Sequence, residues 1–188
     1  MTEPVSVMQS LLQFIEAVLL VYLGGTALYL LVFSVAALKP CRPKWPSPTS
    51  TKRFALIFPC YKEDEVIFQV IEDALEHNYP KEFFDIVVVA DGFRPDTIEK
   101  LKTYPIVLFA KNFEISTKTR AINYALRHLD DTAYEAVCIL DADNLMADDF
   151  LLKMNQALSA GNVAVQGHRM AKNLNTHFAV LDAISEEI

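Results

Sequence analysis

Five short apolar segments, separated by longer segments of mixed polarity, limit the folds that residues 54–167 can adopt. They read FALIF, FDIVVVA, IVLFA, AVCIL and VAVQG, at residues 54–58, 84–90, 106–110, 136–140 and 163–167. Continuously apolar segments of this length are typical of strands that are buried on both faces of a sheet. The segments between them predict helices at about 65–77, 95–102, 116–129 and 148–158. The alternation predicts an α/β domain with a mostly parallel sheet and helices on both faces.

The helix boundaries and inward faces can also be predicted from the sequence. Asp64 is placed to cap the helix 65–77, and Asp148 or Asp149 to open the helix that Gly161 ends. Apolar residues at helical spacing predict the buried face of the helix 65–77, namely Ile67, Val70, Ile71 and Ala74. The same spacing predicts the buried face of the helix 116–129, namely Ala121, Ile122, Ala125, Leu126 and Leu129.

Acidic residues follow the second and fourth predicted strands. Asp91 comes directly after one strand, and Asp141 and Asp143 come directly after the other. An Asp in this place is often only a turn residue or a helix cap, and Asp91 fits that reading equally well. Asp141 and Asp143 have no helix to cap, because the next helix starts near residue 148. Parallel sheets bind ligands beyond the carboxyl ends of their strands, so this pair predicts a site for Mg²⁺ or Mn²⁺ and a phosphate group.

Several common nucleotide and metal motifs are absent from the sequence. No G-x-G-x-x-G follows the first strand, and no G-x-x-x-x-G-K-[ST] occurs anywhere. Leu145 stands where a D-x-D-x-T phosphatase would need Thr. Cys41, Cys60 and Cys138 are odd in number and match no zinc spacing, which fits a reducing compartment.

The N-terminal part predicts a membrane anchor. Residues 17–38 hold 22 residues without a charge, and as a helix they would reach roughly 33 Å, the thickness of a bilayer core. No Lys or Arg precedes them, which argues against a cleaved signal peptide. A buried core helix is the alternative. One helical face carries the polar residues Gln9, Gln13 and Glu16. These residues either extend the helix through the membrane interface or contact partner membrane helices.

Charge is distributed unevenly along the chain. Residues 39–53 hold five basic residues, no acidic residue and four prolines, which predicts a stiff tether on the cytoplasmic side of the membrane. From Phe54 onward, 12 basic residues face 22 acidic ones, a formal charge of −10. So acidic a domain is not expected to bind nucleic acid. The predicted organisation is therefore an N-terminal segment 1–38 with the span at about 17–38, a tether 39–53 and a cytoplasmic domain 54–188.

Five motifs in order then carry a resemblance to a known family. They are FPCYKEDEVI, DIVVVADG with PDT, STKTRAINYAL, CILDADNLMADDFL and VAVQGHR, spread over residues 54 to about 173. Together with the preceding apolar helix they resemble the membrane-bound family 2 glycosyltransferases, which are akin to cellulose and hyaluronan synthases. The resemblance implies a GT-A fold and transfer of a sugar from a nucleotide sugar, usually UDP-linked, to an acceptor hydroxyl with inversion.

The resemblance also implies roles for individual residues. Pro59, Tyr61 and Glu63 match a P-x-Y-N-E loop that holds the nucleotide base, and Lys62 replaces the Asn of that pattern. Asp91 matches the acid that binds the base. Lys118, or alternatively Arg120, matches a basic residue near the nucleotide. Asp141 and Asp143 match the DxD motif, with Asp143 as the main metal ligand and Asp141 directed toward the nucleotide. Gln166 matches a fifth-strand residue that lines the donor or acceptor site, whereas His168 fits a surface histidine.

In the family, the general base lies well downstream of the fifth strand. Asp182, Glu186 and Glu187 match no base motif, so the base is expected beyond Ile188, and the chain is interpreted as truncated at its C-terminus. The expected partners are a nucleotide-sugar donor, a saccharide or lipid acceptor and membrane lipid, in polysaccharide or glycolipid synthesis at the cell membrane. The alternatives are a non-catalytic donor-binding or partner subunit and a sugar-nucleotide pyrophosphorylase. The membrane helix and the lack of a Gly-rich first loop count against the pyrophosphorylase.

Overall fold

The structure is a computed structural model that describes residues 3–38, 45–48 and 50–168. The chain divides into two compact units, Met1–Lys44 and Trp45–Ile188. Residues 39–44 and 49 of the predicted tether fall outside the described residues. So do Asp182, Glu186 and Glu187, and the expectation that none of them is the base stays a prediction.

The first unit contains one helix, α1, which runs from Glu3 to Ala37. Among the described residues it is the one helix that is long and apolar enough to cross a membrane, over Val7–Ala37. A signal sequence near an N-terminus has the same length and composition. The helix starts well before the uncharged segment 17–38, because Gln9, Gln13 and Glu16 continue it without a break.

Within its described residues, the second unit contains four strands and four helices in alternation. The strands are β1 (Phe54–Tyr61), β2 (Phe84–Asp91), β3 (Val107–Lys111) and β4 (Ala136–Ile139). The helices are α2 (Ile67–Glu76), α3 (Pro95–Leu101), α4 (Lys118–His128) and α5 (Phe150–Ser159), and a short 3₁₀ turn spans Lys81–Phe83. The strands form one sheet in the order β3-β2-β1-β4, and every pair is parallel.

The central strands β1 and β2 are buried on both faces because most of their residues are apolar. Leu56, Phe58 and Ile86 face one core, together with Ile67 and Ile71 of α2 and with residues of α3 and α5. Ile57, Val87 and Val89 face the other core, together with Ala121 and Ala125 of α4. The prediction of a mostly parallel sheet with helices on both faces is therefore confirmed. The predicted inward face of α2 is also correct, since Ile67, Val70, Ile71 and Ala74 are all buried.

Three local predictions are wrong. Residues 163–167 form no strand, and Val163 is fully exposed, because nothing in the described part of the chain pairs with them. Asp64 does not cap α2, whose N-cap is Val66 without a side-chain hydrogen bond. The inward face of α4 is narrower than predicted, and Leu126 is exposed. Helix α4 packs mainly on β1 and β2 and also contacts Phe109 of β3, whereas Val137 and Ile139 of β4 are exposed.

Candidate active site at the carboxyl edge of the sheet

The strand register brings the ends of β1, β2 and β3 side by side. Tyr61 of β1 pairs with Asp91 of β2, and Asp91 pairs with Lys111 of β3. On the other side of β1, the last paired residue of β4 is Ile139, next to Ile57, so Asp141 also lies near this edge. The predicted site residues that follow β1, β2 and β4 therefore share one edge of the sheet, which we call the donor edge.

Asp91 holds two loops of the donor edge together. Its side chain is buried, and Oδ1 accepts a hydrogen bond of 3.1 Å from the backbone N–H of Phe113, in the loop after β3. Its main-chain oxygen accepts one of 3.0 Å from the N–H of Lys62, in the loop after β1. Because Asp91 fixes both loops, it is more than the turn residue that the sequence left as an alternative.

A close backbone approach follows Asp91. Gly92 has a φ of +67°, and a Cβ atom built on it would lie 3.3 Å from Cγ of Lys62. Lys62 itself has a φ of +55°, in the left-handed region that few residues adopt. Asn tolerates this region better than other non-glycine residues, so the Asn of the family pattern suits the backbone here. The Lys62 ammonium lies 5.0 Å from the centre of the Tyr61 ring, and both side chains are exposed.

The Glu63 carboxylate is only partly satisfied by hydrogen bonds within the protein. Its Oε2 is buried and has no hydrogen-bond partner among the described residues. Burial raises the pKa of Glu63, and the charges of Asp143 and Asp141 raise it further. A backbone hydrogen bond at Tyr61 and the Cys60 thiol act in the opposite direction. The effect of both aspartates shows that the loops after β1 and β4 bring three acidic groups near one another.

Asp141 forms an ion pair with Lys118, whose Nζ donates to Oδ1. Both groups are partly open to solvent. Lys118 is the first residue of α4, and its position is set by Thr117, whose Oγ1 accepts a hydrogen bond of 3.2 Å from the N–H of Arg120. Arg120 instead donates to the main-chain oxygen of Ile115. Of the two basic residues considered from the sequence, Lys118 is the one that contacts an aspartate of the DxD motif.

Asp143 is exposed and Asp141 is half-buried, on the loop between β4 and α5. No group of three His, Cys, Asp or Glu side chains within residues 3–38, 45–48 and 50–168 is arranged to hold one ion. The donor chemistry nevertheless fits Mg²⁺ or Mn²⁺. These ions prefer carboxylate oxygens and are commonly held by one or two carboxylates, with substrate phosphates and water completing the shell. The buried Glu63 oxygen without a hydrogen-bond partner lies in the neighbouring loop after β1.

Two residues near the donor edge carry features that the sequence did not reveal. Asp64 accepts a hydrogen bond of 3.0 Å from the N–H of Arg94, and its carboxylate lies 3.6 Å from Arg94 Nε. Burial acts to raise the pKa of Asp64, but hydrogen bonds from Thr97 and Arg94 and the charge of Arg94 lower it overall. The two residues line an open cleft of about 400 Å³ together with Lys62–Val66. The only sequence signal was Arg94 between Gly92 and the PDT motif.

Gln166 and His168 are exposed on the segment without regular structure that follows α5. Gly167 between them packs closely against Phe150, so close that a Cβ atom would lie 2.8 Å from its ring. Since residues 163–167 are not a strand, Gln166 does not follow a fifth strand to the donor edge. Its predicted role therefore lacks the placement on which it was based.

Comparison with known proteins gives this edge a family. The model of the family described as "Glycosyl transferase family 2" matches residues 55–184, more than half of the chain. The chain belongs to glycosyl transferase family 2. The match includes Asp91, Lys118 and both aspartates of the DxD motif, and it confirms that the chain belongs to a family of transferases. No curated protein matches the chain.

Solved structures agree with the GT-A fold. The mannosyltransferase PcManGT from Pyrobaculum calidifontis, in complex with GDP-Man and Mn²⁺, is 29% identical, with a TM-score of 0.57. The match covers 76% of this chain and 41% of that one, so the chain spans less than half the length of this relative. A weaker match is S. aureus TarS 1-349, at 21% identity and a TM-score of 0.48, over 64% of this chain and 40% of the other.

Proposed function

We propose that this chain holds the donor-binding part of a membrane-anchored enzyme that transfers a sugar from a nucleotide sugar to an acceptor hydroxyl. The collection of Glu63, Asp91, Asp141 and Asp143 at the carboxyl edge of the sheet carries this proposal. A domain with a formal charge of −10 can bind an anionic diphosphate only where cations are held locally. Lys118 is one such cation, and the two aspartates can hold another.

Asp143 and Asp141 are proposed to hold Mg²⁺ or Mn²⁺. The mannosyltransferase PcManGT, whose complex contains Mn²⁺ together with GDP-Man, supports a divalent ion. Such an ion stabilises the negative charge that develops on a departing diphosphate. The chain's own contribution is to present two carboxylates from one loop and to place the Lys118 ammonium beside them. Lys118, at the start of α4, can exchange its contact with Asp141 for one with a phosphate oxygen bound at the donor edge.

The nucleotide is proposed to lie along the loop after β1. Tyr61 offers an exposed ring for stacking, the Glu63 carboxylate has a buried oxygen without a hydrogen-bond partner, and Pro59 restricts the backbone just before Tyr61. Asp91 holds this loop in place through Lys62 and is proposed to bind the base. Gln166 is proposed to line the donor or acceptor side. The resemblance favours UDP, whereas the mannosyltransferase relative is in complex with GDP-Man, so the base is the first property to test.

The reaction is proposed to invert the anomeric carbon. An acceptor hydroxyl attacks that carbon from the face opposite the nucleoside diphosphate, which leaves with both electrons of the broken bond, while a general base takes the hydroxyl proton. We assign no general base among the described residues. The acceptor is a saccharide or a lipid, and a relationship to cellulose and hyaluronan synthases would place the product among polysaccharides or glycolipids.

The domain is proposed to lie on the cytoplasmic side of the plasma membrane. Support comes from α1, which is long and apolar enough to span a bilayer, and from the five basic residues of 39–53 that follow it. Residues 39–53 would then act as the tether, with partner membrane helices contacting the face of Gln9, Gln13 and Glu16.

Calorimetry on the full chain in detergent tests this function. UDP-glucose, UDP-GlcNAc and GDP-mannose are titrated with Mn²⁺ and with EDTA, into the native chain, Asp143→Ala and the matched control Asp131→Ala, which removes an exposed aspartate elsewhere. We expect one nucleotide class to bind only with Mn²⁺, and Asp143→Ala alone to weaken binding at least about tenfold, as for a lost charged contact. Undiminished metal-dependent binding in Asp143→Ala would contradict the metal site.

A further inference from the structure

The loop between β4 and α5 carries both aspartates of the DxD motif, so its rigidity bears on the proposed metal site. Its first end is fixed to the sheet, since the N–H of Leu140 donates to the main-chain oxygen of Ile57 at 3.0 Å. A turn follows, in which the N–H of Asn144 donates to the oxygen of Asp141 at 3.1 Å. The other end of the loop depends on how α5 begins.

The start of α5 lacks an ordinary cap. Its N-cap residue, Asp149, makes no side-chain hydrogen bond to the first turn. Helices leave their first N–H groups without partners inside the helix, and a buried N–H without a partner is costly. The N–H of Leu151 in this first turn is buried, and it donates instead to Nε2 of His77 at 3.3 Å. His77 belongs to a distant part of the chain, at the end of α2.

His77 is buried, with only 6% of its surface exposed. A histidine side chain is seldom buried to this extent without a role in the fold. Its main-chain oxygen accepts hydrogen bonds from Lys81 Nζ at 2.8 Å and from the N–H of Tyr79 at 2.9 Å. These two hydrogen bonds fix the backbone at His77. The imidazole is therefore held in place as a hydrogen-bond acceptor for α5. Nε2 can accept this bond only when it carries no proton.

We propose that His77 is a positioning residue for the DxD loop, whose unprotonated Nε2 caps α5 and thereby holds Asp141 and Asp143 in place for the metal ion. This inference rests on the proposed function for its metal-binding consequence. Its structural part, the cap on α5, does not depend on any ligand.

The charges around His77 make the cap sensitive to acid. Burial lowers the pKa of His77, and the charge of Lys81 lowers it further, while Asp148 and Asp149 act to raise it. Since the pKa in the folded state lies below that in the unfolded state, the cap is intact above about pH 6.5, the ordinary pKa of His. It is lost as the pH falls below that value and through the lowered pKa. A protonated imidazole would then also face the positive end of the α5 dipole.

Two variants and one control test the inference on the full chain in detergent. His77→Leu fills the space but removes the acceptor. His77→Gln restores an acceptor oxygen at a similar reach. His128→Leu is the matched control, because His128 is exposed on α4. Amide hydrogen exchange of residues 140–155 is followed by mass spectrometry, and Mn²⁺ affinity is measured by electron paramagnetic resonance.

We expect His77→Leu to speed exchange at the start of α5 about fivefold, as for a lost cap, and to weaken Mn²⁺ binding by up to the same factor. His77→Gln should stay near the native values, and so should His128→Leu. As the pH falls through the lowered pKa of His77, and after correction for intrinsic exchange rates, the native chain should lose protection at α5 and His77→Gln should not. If His77→Gln behaves as His77→Leu does, or if His77→Leu exchanges as the native chain does, the positioning role is wrong. If no form binds Mn²⁺, the proposed metal site fails, while exchange still decides on the cap.

Discussion

At the scale of single residues, the Lys118–Asp141 ion pair sets a competition at the donor edge. Asp141 has a proposed role toward metal and nucleotide, and in the structure its Oδ1 accepts from the Lys118 ammonium. An ammonium and a metal ion compete for the same carboxylate oxygen, so each weakens the binding of the other. A bound diphosphate would change the balance, because it offers Lys118 new oxygens and leaves Asp141 free to turn to the ion.

Lys118→Met should therefore change metal and nucleotide binding in opposite directions. Without nucleotide, Mn²⁺ should bind a few-fold more tightly, because a partly exposed ion pair is worth about 0–1 kcal/mol and no longer competes. With UDP or GDP present, affinity for the nucleotide should fall about tenfold or more, since a charged contact to phosphate is lost. Paramagnetic resonance of Mn²⁺ and calorimetry with the nucleotide measure the two effects.

The matched control for this change is Lys102→Met. Lys102 also pairs with a carboxylate, that of Glu99 at 2.6 Å, but the pair is exposed on α3 away from the DxD loop. It should alter neither affinity. A Lys118→Met chain that loses affinity for Mn²⁺ alone would contradict the competition and would indicate that Lys118 supports the folded loop instead.

The residues of the site were easier to identify from the sequence than their contacts. Asp141, Asp143 and Asp91 stand directly after apolar segments, and parallel sheets place such residues at one edge. Two features could not be predicted because they depend on how the loops of the donor edge pack against one another. They are the buried Glu63 oxygen without a hydrogen-bond partner and the left-handed backbone of Lys62. The hydrogen bond from Leu151 to His77 joins residues that are 74 positions apart in the sequence, so no local sequence pattern predicts it.

At the scale of elements, the strands were the most predictable part of the fold. A run of five to seven mostly apolar residues can bury both of its faces as a strand inside a covered sheet. Strands β1 to β4 therefore lie close to the predicted ranges. Residues 163–167 have the same composition, but a strand also needs a neighbour. β4 pairs over four residues only, and Val137 and Ile139 are still exposed there. Composition does not reveal whether such a neighbour is available.

Helix α4 shows how one cap can act on the site. Thr117 caps α4 through Oγ1, and the next residue is Lys118. Thr117→Ala should lower the free energy of unfolding by about 1 kcal/mol, the usual worth of such a cap. It should also reduce nucleotide affinity, because Lys118 would lie on a fraying first turn. Thr117→Ser keeps the acceptor and should match the native chain in thermal unfolding and in calorimetry. Equal behaviour of the Ala and Ser variants would contradict a role for this hydrogen bond.

At the scale of the whole molecule, charge and hydropathy point in the same direction. The apolar helix α1 is followed by a basic segment, and the domain beyond carries a formal charge of −10. Basic residues next to a span are retained on the cytoplasmic side, while acidic residues affect orientation little. The same basic residues can contact anionic lipid headgroups, which would repel the acidic domain itself.

This organisation predicts a definite orientation. In bacterial cells that express the full chain with a C-terminal tag, we expect the tag to stay with membranes after an alkaline carbonate wash. A protease added to intact spheroplasts should spare the domain, and lysis should expose it.

Replacing Lys39, Arg42 and Lys44 by Glu should make part of the chain digestible from outside, because the charge bias that sets the orientation is removed. The same number of reversals at exposed positions of the domain, Lys102, Arg127 and Lys153, should change nothing. Release of the domain from the membrane fraction would indicate that α1 is removed as a signal sequence, and digestion of the native chain in intact spheroplasts would reverse the proposed orientation.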